Sequence, residues 1–110
     1  MSIRTVMALF ALLEALALAR VIAGETPGCD FEAKLAVAHV AQRNDVWYGD
    51  AEPGSLDLAA ALWWSRWPDP TDGALFLLGP GDAERLAAHL GERTGRWVCP
   101  GTFVESWRGR

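Results

Sequence analysis

The sequence is short of positive charge. Ten Lys and Arg residues stand against 14 Asp and Glu residues, which leaves a formal net charge of -4. Because nucleic-acid-binding domains usually carry a basic patch that neutralises phosphates, this balance disfavours DNA or RNA as a partner. Low-complexity tracts and internal repeats are also absent, and 110 residues fit one domain. We therefore expect a single domain over residues 1–110, with enough hydrophobic residues to build a core.

Metal ligands and reactive side chains are scarce as well. Cys29 and Cys99 do not form a Cys-x-x-Cys pair, and His39 and His89 do not complete a zinc-ligand spacing. The sequence has no glycine-rich phosphate loop and no defensible Ser/His/Asp arrangement. We therefore expect no metal and no cofactor. Two alternatives stay open for the cysteines, a disulfide formed in an oxidising compartment or two buried thiols.

The N-terminal run MSIRTVMALFALLEALALA combines an early Arg4, an apolar stretch and a final Ala-Leu-Ala, which is typical of a signal peptide. Glu14 interrupts this stretch, however, and apolar residues continue beyond it toward Gly24. The uninterrupted part is also shorter than the about 20 residues that cross a bilayer. We therefore favour a first core helix over residues 3–23 rather than a signal or an anchor, and we do not expect a membrane as partner.

Turn residues and helical spacing divide the rest of the chain. Asp30 is a suitable N-cap for a helix over residues 31–43, and Ser55 for a helix over residues 56–66. The remaining predicted elements are a strand over 73–79, a helix over 82–93, and a hairpin or irregular β tail over 96–106. The architecture is thus mainly helical with a short β element, which is α+β by class.

Glu25 stands out among the carboxylates because it follows Gly24 at the C-terminal end of the first predicted helix. The carbonyl end of a helix carries partial negative charge, and burial against apolar neighbours also disfavours an ionised carboxylate. Both influences favour the protonated form that a general acid needs. From the residues alone, a solvated glutamate at a helix end stays open as the alternative.

Six tryptophans are many for a chain of this length. Indole rings can stack on the apolar faces of sugars while their N–H groups bond hydroxyls, although a small core also uses large rings to bury area. Neighbours on a helix cannot both face inward, so one of Trp63 and Trp64 is expected in the core. Trp47 and Tyr48, in a loop, are the better candidates for contacts in a binding cleft.

Two segments resemble the cell-wall hydrolase family typified by the spore cortex-lytic enzyme. The run LARVIAGETPGCDFEAKLAVAHVAQRN is similar to the family's ARV-x-x-GEA segment, its glycine turn and its GQVAVAxVxxNR helix. The later run DPTDGALFLLGP, which begins at Asp69, is similar to DPTxGAxxFxNP. The two segments occur in the family's order and, with the helices beside them, cover most of residues 16–80.

This resemblance implies a small lysozyme-like α+β domain that cleaves the glycan strands of peptidoglycan, usually as a lytic transglycosylase with a 1,6-anhydro product. The glutamate of the GEA motif falls on Glu25, which would be the catalytic acid/base. Asp69, Thr71 and Gly73 would shape the loop and strand facing it, a role at least as structural as functional, and they are the candidate substrate contacts of that loop. The implied location is cell-wall facing or extracytoplasmic. A non-catalytic module that binds wall glycan on the same fold is the alternative function.

The chain departs from the family pattern at two places. The family's GEA reads Gly24-Glu25-Thr26, and its NR pair reads Arg43-Asn44 in reversed order. The reversal leaves open whether these two residues make the contacts that the family's pair makes.

Overall fold

The computed structural model of the chain describes residues 1–44, 49–78, 94–99 and 102–106. Its elements are α1 (Ile3–Glu25), α2 (Phe31–Arg43), α3 (Ser55–Trp63), a 3-10 turn (Trp64–Arg66), β1 (Phe76–Leu78), β2 (Thr94–Cys99) and β3 (Thr102–Ser106). The described part is therefore mainly helical with a small sheet, and the α+β prediction is confirmed at that level. The predicted helix over 82–93 lies outside the described residues.

α1 is two residues longer than predicted and does not stop at Gly24. The Thr26 N–H donates to the carbonyl of Ile22 at 2.9 Å, and the Thr26 hydroxyl donates to the same oxygen at 2.6 Å. These two bonds satisfy a carbonyl that a helix end otherwise leaves without a partner. Glu25 is thus the last helical residue rather than the second residue beyond the helix.

The two halves of α1 have opposite environments. The buried residues start at Ala15 and run to Ala23, where they pack against α2 and α3. Before Ala15 the side chains are exposed, with Val6 only partly covered. The prediction of a core helix over 3–23 is therefore correct for its second half and wrong for its first half. By length and composition α1 could cross a membrane, with a mean hydropathy of 2.2 over a window that is 28% buried.

α2 is the central helix and has the predicted bounds. The carboxylate of Asp30 accepts the N–H of Ala33 at 2.9 Å, which confirms Asp30 as the N-cap. Every residue from Ala33 to Ala41 is buried, because α1 and α3 pack on one side of the helix and the sheet on another. This buried run includes Lys34 and therefore places a charged side chain inside the protein.

α3 begins one residue earlier than predicted, with Gly54 rather than Ser55 at the cap position. The Gly54 N–H donates to the carboxylate of Asp57 at 2.8 Å. Of the two neighbouring tryptophans, Trp64 packs against the core and meets His39 edge to face at 5.2 Å, whereas Trp63 is 47% exposed. The expectation that only one of them faces inward is confirmed.

The sheet has the order β1-β3-β2, and both pairs are antiparallel. β1 lies within the strand predicted over 73–79, and β2 and β3 confirm the hairpin predicted at the end of the chain. The register slips between Trp97 and Cys99, as at a β-bulge. Leu77 and Val98 pack against the small residues of α2, so the sheet covers the side of α2 away from α1 and α3.

Candidate functional site

Glu25 lies at the junction of the helices and the sheet. Its backbone carbonyl accepts a hydrogen bond from the hydroxyl of Thr102, the first residue of β3. Its side chain is exposed, so the burial against apolar neighbours that the sequence led us to expect is not found. The carboxylate is therefore presented to solvent at a point where the backbone is held by the central strand.

A buried ion pair lies directly behind Glu25. The ammonium of Lys34 donates to the carboxylate of Asp57 at 2.6 Å, to the carbonyl of Thr26 at 2.8 Å and to the Thr26 hydroxyl at 3.3 Å. The side chains of Lys34 and Asp57 are only 6% and 10% exposed. An ammonium has three donors, and all three are used. We call Thr26, Lys34 and Asp57 the Lys34 network.

The Lys34 network connects the last turn of α1 to both other helices, since Lys34 belongs to α2 and Asp57 to α3. A charge this deep is stable only when it is paired and hydrogen-bonded. The arrangement therefore restricts the backbone next to Glu25. This network was not predicted from the sequence, although a lysine inside the apolar run AKLAVAHVA indicates a buried charge that needs a partner.

Cys29 and Cys99 form a disulfide with a Cα–Cα distance of 6.0 Å, which decides between the two alternatives left by the sequence. The bond joins β2 to the turn that follows Glu25. Together with the contact between Thr102 and the Glu25 carbonyl, it attaches the β2–β3 pair to the end of α1. The residues around Glu25 are therefore held by two strands as well as by the helices.

A surface depression beside the last turns of α1 has a volume of about 560 Å³, within the range of small-molecule sites. Its lining residues are Leu16, Arg20, Gly49, Asp50, Ala51, Glu52 and Pro53. Ala51 adjoins the end of the helix, because a Cβ added to Gly24 would lie 3.7 Å from the Cβ of Ala51. This depression thus brings a guanidinium and two carboxylates to the face of α1 that carries Leu16 and Arg20, and Glu25 is not among its described lining residues.

Gly49 is required by the close approach of this loop to α1. A Cβ at Gly49 would lie 2.5 Å from the backbone nitrogen of Val21, so no larger residue fits without moving the backbone. The predicted sugar contacts Trp47 and Tyr48 directly precede Gly49 in the chain. They lie outside the described residues, and their role stays a prediction.

The second depression, of about 110 Å³, lies between the start of α2 and β2. Asp30, Glu32, Ala33, Trp97 and Val98 line it. Trp97 is 51% exposed and so presents part of an indole ring beside two carboxylates. The sequence analysis did not single out Trp97, because an aromatic residue in a strand gives no indication of which face it occupies.

The other end of α2 carries a second polar network, formed by Arg43, Asp69 and Thr71 and called here the Arg43 network. The Arg43 guanidinium donates to the carboxylate of Asp69 at 2.6 Å, to the hydroxyl of Thr71 at 2.8 Å and to the carbonyl of Ala74 at 2.8 Å. The Thr71 hydroxyl donates to Asp69 at 2.6 Å and accepts the Ala74 N–H at 3.1 Å. Arg43 therefore pairs with a carboxylate in spite of the reversed Arg43-Asn44 order, and its correspondence to the family's pair stays a prediction.

The carboxylate of Asp69 also accepts the N–H groups of Thr71 and Gly73, at 2.8 and 3.0 Å. Partial burial raises the pKa of Asp69, but the hydrogen bonds from Thr71, Arg43 and Gly73 outweigh it and lower the pKa to about 2. Asp72 and Gly73 both have positive φ, 53° and 85°, so the loop turns sharply here before β1. Asp69 is thus held ionised as the centre of the loop.

These contacts give Asp69, Thr71 and Gly73 a structural role. Thr71 is 8% exposed and its hydroxyl already has three partners, so its described contacts are internal to the protein. Next to Arg43, the Asn44 amide donates to the carbonyl of Leu75 and so also fixes this loop on α2. Substrate contact by the three residues stays a prediction.

The chain matches no family model, no curated protein and no solved structure. Inference about its function therefore depends on its own residues and on the resemblance of its two segments.

Proposed function

We propose that this protein cleaves the glycan strands of peptidoglycan as a lytic transglycosylase on a small lysozyme-like domain, with Glu25 as the acid/base. The observation that carries the proposal is that the backbone at Glu25 is held by hydrogen bonds from two other elements. Thr102 bonds its carbonyl, and Lys34 bonds the carbonyl of the next residue, Thr26. A catalytic carboxylate benefits from such preorganisation. The resemblance around Gly24-Glu25-Thr26 supports the same assignment.

In the proposed reaction, the Glu25 carboxyl donates its proton to the glycosidic oxygen as the bond to the leaving sugar breaks. The acetamido group of the substrate stabilises the oxocarbenium-like state, as in substrate-assisted glycosidases. The carboxylate of Glu25 then accepts the proton of the muramyl C6 hydroxyl, and the C6 oxygen closes on C1. The products are a 1,6-anhydro sugar and a shortened strand, and Glu25 is protonated again.

A long polymer needs an open site, and the exposed position of Glu25 meets that requirement. The 560 Å³ depression beside Gly24 is the proposed place for a sugar ring, because Arg20, Asp50 and Glu52 offer donors and acceptors for its hydroxyls. No metal or cofactor takes part in the proposed reaction.

The test incubates the purified full-length chain with insoluble peptidoglycan and measures anhydro-muropeptides by mass. Glu25→Gln should lower their release by about a hundredfold or more, because it removes the acid/base. Glu14→Gln is the matched control, since Glu14 is an exposed glutamate of the same helix, and it should leave the release unchanged. The proposal fails if wild type and Glu25→Gln release equal amounts, or if neither releases any.

Exposure of Glu25 also favours a second candidate, a module that binds wall glycan without cleaving it, because the apolar neighbours expected around a catalytic acid are not found at its carboxylate. The half-exposed Trp97, beside Asp30 and Glu32, is the contact this candidate would use. It predicts retention on insoluble peptidoglycan without product. Trp97→Ala should then weaken retention, and Glu25→Gln should have little effect on it.

A further inference from the structure

The first half of α1 is an apolar segment, residues 3–13, that the other described residues leave uncovered. Its large side chains are strongly exposed: Ile3 76%, Met7 66%, Leu9 46%, Phe10 63%, Leu12 57% and Leu13 63%. Isolated apolar residues are normal on a protein surface, but a contiguous group of this kind marks an interaction surface.

The exposed side chains are not distributed evenly around the helix. Ile3, Met7, Phe10 and Leu13 recur at helical spacing and share one face. Arg4, Thr5 and Ala8 lie on the opposite side, where Leu12 is the one large apolar residue, and Leu9 lies between the two faces. The segment thus has a wide apolar face and a narrower side with small and polar residues.

Charge is also distributed unevenly along the segment. Arg4 is positive, and the first acidic residue is Glu14, beyond the end of the segment. A wide apolar face with positive charge at one end is the combination by which helices lie in the surface of anionic membranes.

We propose that residues 3–13 bind the surface of an anionic lipid bilayer, lying along the boundary between headgroups and acyl chains with Ile3, Met7, Phe10 and Leu13 toward the chains. The Arg4 guanidinium then meets the lipid phosphates. The Cys29–Cys99 disulfide fits this location, because disulfides persist on the oxidising side of a membrane. The proposal is independent of peptidoglycan cleavage.

The length of the segment argues against a membrane span. Eleven helical residues extend about 16 Å, roughly half of the hydrocarbon core of a bilayer. A span would have to recruit Leu18, Ala19 and Ile22, which are 1%, 0% and 0% exposed in the protein core. Cleavage after the Ala17-Leu18-Ala19 sequence would remove two of the same core residues. The free segment therefore ends before Glu14, and the packed part of α1 begins at Ala15.

The side chains outside the main face argue against a second copy of the chain. A partner helix covers one stripe, and such stripes are usually flanked by charged residues that set the register. Here Leu9 and Leu12 are exposed outside the stripe, and no charged residue stands between Arg4 and Glu14. A bilayer interface surrounds the helix on its flanks as well as beneath it and so covers more of this apolar surface.

The experiment mixes the oxidised full-length chain with sealed vesicles and measures co-flotation on a density gradient. The vesicles contain phosphatidylcholine alone or phosphatidylcholine with phosphatidylglycerol. The chain should float with both and bind the anionic vesicles more tightly. Phe10→Glu should weaken partitioning into the vesicles by at least about tenfold, because it places a charge where the bilayer would bury an apolar side chain. Arg4→Gln should weaken binding to the anionic vesicles alone, by about fivefold.

Leu56→Glu is the matched control, because Leu56 is 49% exposed in the first turn of α3, outside the segment. It should float like wild type, and near-ultraviolet circular dichroism should show that all variants are folded. The proposal is overturned if wild type stays at the bottom of the gradient or if Phe10→Glu floats unchanged. It is also overturned if wild type does not float but forms a dimer that Phe10→Glu dissociates, which would assign the face to a second copy.

Discussion

Each end of α2 carries a network of polar side chains, and the two networks differ in how deeply they are buried. Each end joins one cation to one carboxylate and one threonine, in the Lys34 network and in the Arg43 network. The Lys34 and Asp57 side chains are 6% and 10% exposed, whereas those of Arg43 and Asp69 are 28% and 22% exposed. The first network supports the backbone next to Glu25, and the second holds the loop that leads into β1.

The difference follows from the chemistry of the two cations. Lysine has a compact ammonium, which Thr26 and Asp57 can surround inside the core. Arginine has a planar fork of donors, and Arg43 uses its three nitrogens on three separate partners while staying partly in water. Removing one partner of a buried ion pair destabilises a protein strongly, although the intact pair adds little net stability. A partly exposed network instead holds a loop through several hydrogen bonds of moderate strength.

The largest effect should come from Lys34→Met. This change leaves the carboxylate of Asp57 buried without its cation, and breaking a buried pair in this way costs about 4 kcal/mol. Equilibrium unfolding in urea measures the loss. The double variant with Asp57→Leu should recover most of it, because no unpaired charge remains. A loss below about 1 kcal/mol for the single variant would show that the pair is not buried in solution.

Removal of the disulfide should have the next largest effect. Cys29 and Cys99 are 70 residues apart, for which loop-closure entropy alone gives about 4 kcal/mol as an upper value. Because disulfides commonly deliver less than this, replacing both by Ser should cost about 2–4 kcal/mol through the larger conformational freedom of the unfolded chain. Thermal unfolding with and without a reductant measures the change, and the reductant should shift only the wild type. Equal thermal stability of wild type and the double variant would show that the disulfide does not stabilise the fold at the end of α1.

Arg43→Lys should cost less, about 1–2 kcal/mol, because a lysine reaches one of the three partners and the site is partly open to water. Urea unfolding measures this loss. In the proposed enzyme, peptidoglycan cleavage per folded molecule should fall with Lys34→Met and stay nearly unchanged with Arg43→Lys, since only Lys34 bonds the residue next to Glu25. Equal losses of cleavage in both variants would contradict this division between the two ends of α2.

The smallest effect should be the pH dependence contributed by Asp69. Its folded pKa, about 2, is below its ordinary value, so folding favours the ionised carboxylate. The stabilisation should be complete above pH about 4 and should be lost as the pH falls through about 2. Because the carboxylate is partly exposed, we expect at most about 1 kcal/mol. In Asp69→Asn, the free energy of unfolding measured across this pH range should lack the contribution of the Asp69 carboxylate. Identical pH profiles for wild type and the variant would exclude that contribution.

Local patterns predicted much of the secondary structure. The bounds of α2 follow from the Asp30 cap and the helical spacing, and the last two strands were found as a hairpin. The first helix was harder to predict, because an apolar run has the same composition whether a core, a lipid or water surrounds it. Burial starts at Ala15, where α2 and α3 come within reach.

The candidate site was predictable only in part. Glu25 could be singled out from its position at a helix end and from the resemblance of its neighbours, but its exposure could not. Lys34 and Asp57 are 23 residues apart, and no local pattern joins them. Asp69 and Thr71 were expected to face the substrate, yet their described partners are Arg43 and the loop itself.

The sequence by itself determined the bounds of α2, the acidic net charge, the two segments that resemble a wall-hydrolase family and the acid at the end of the first helix. These features depend on neighbouring residues or on composition. Only the tertiary structure decided which half of α1 is buried, that Cys29 and Cys99 meet, and which cation pairs with which carboxylate. Those outcomes depend on distances between residues far apart in the chain, because burial and ion pairing are set by the elements that fold against each other.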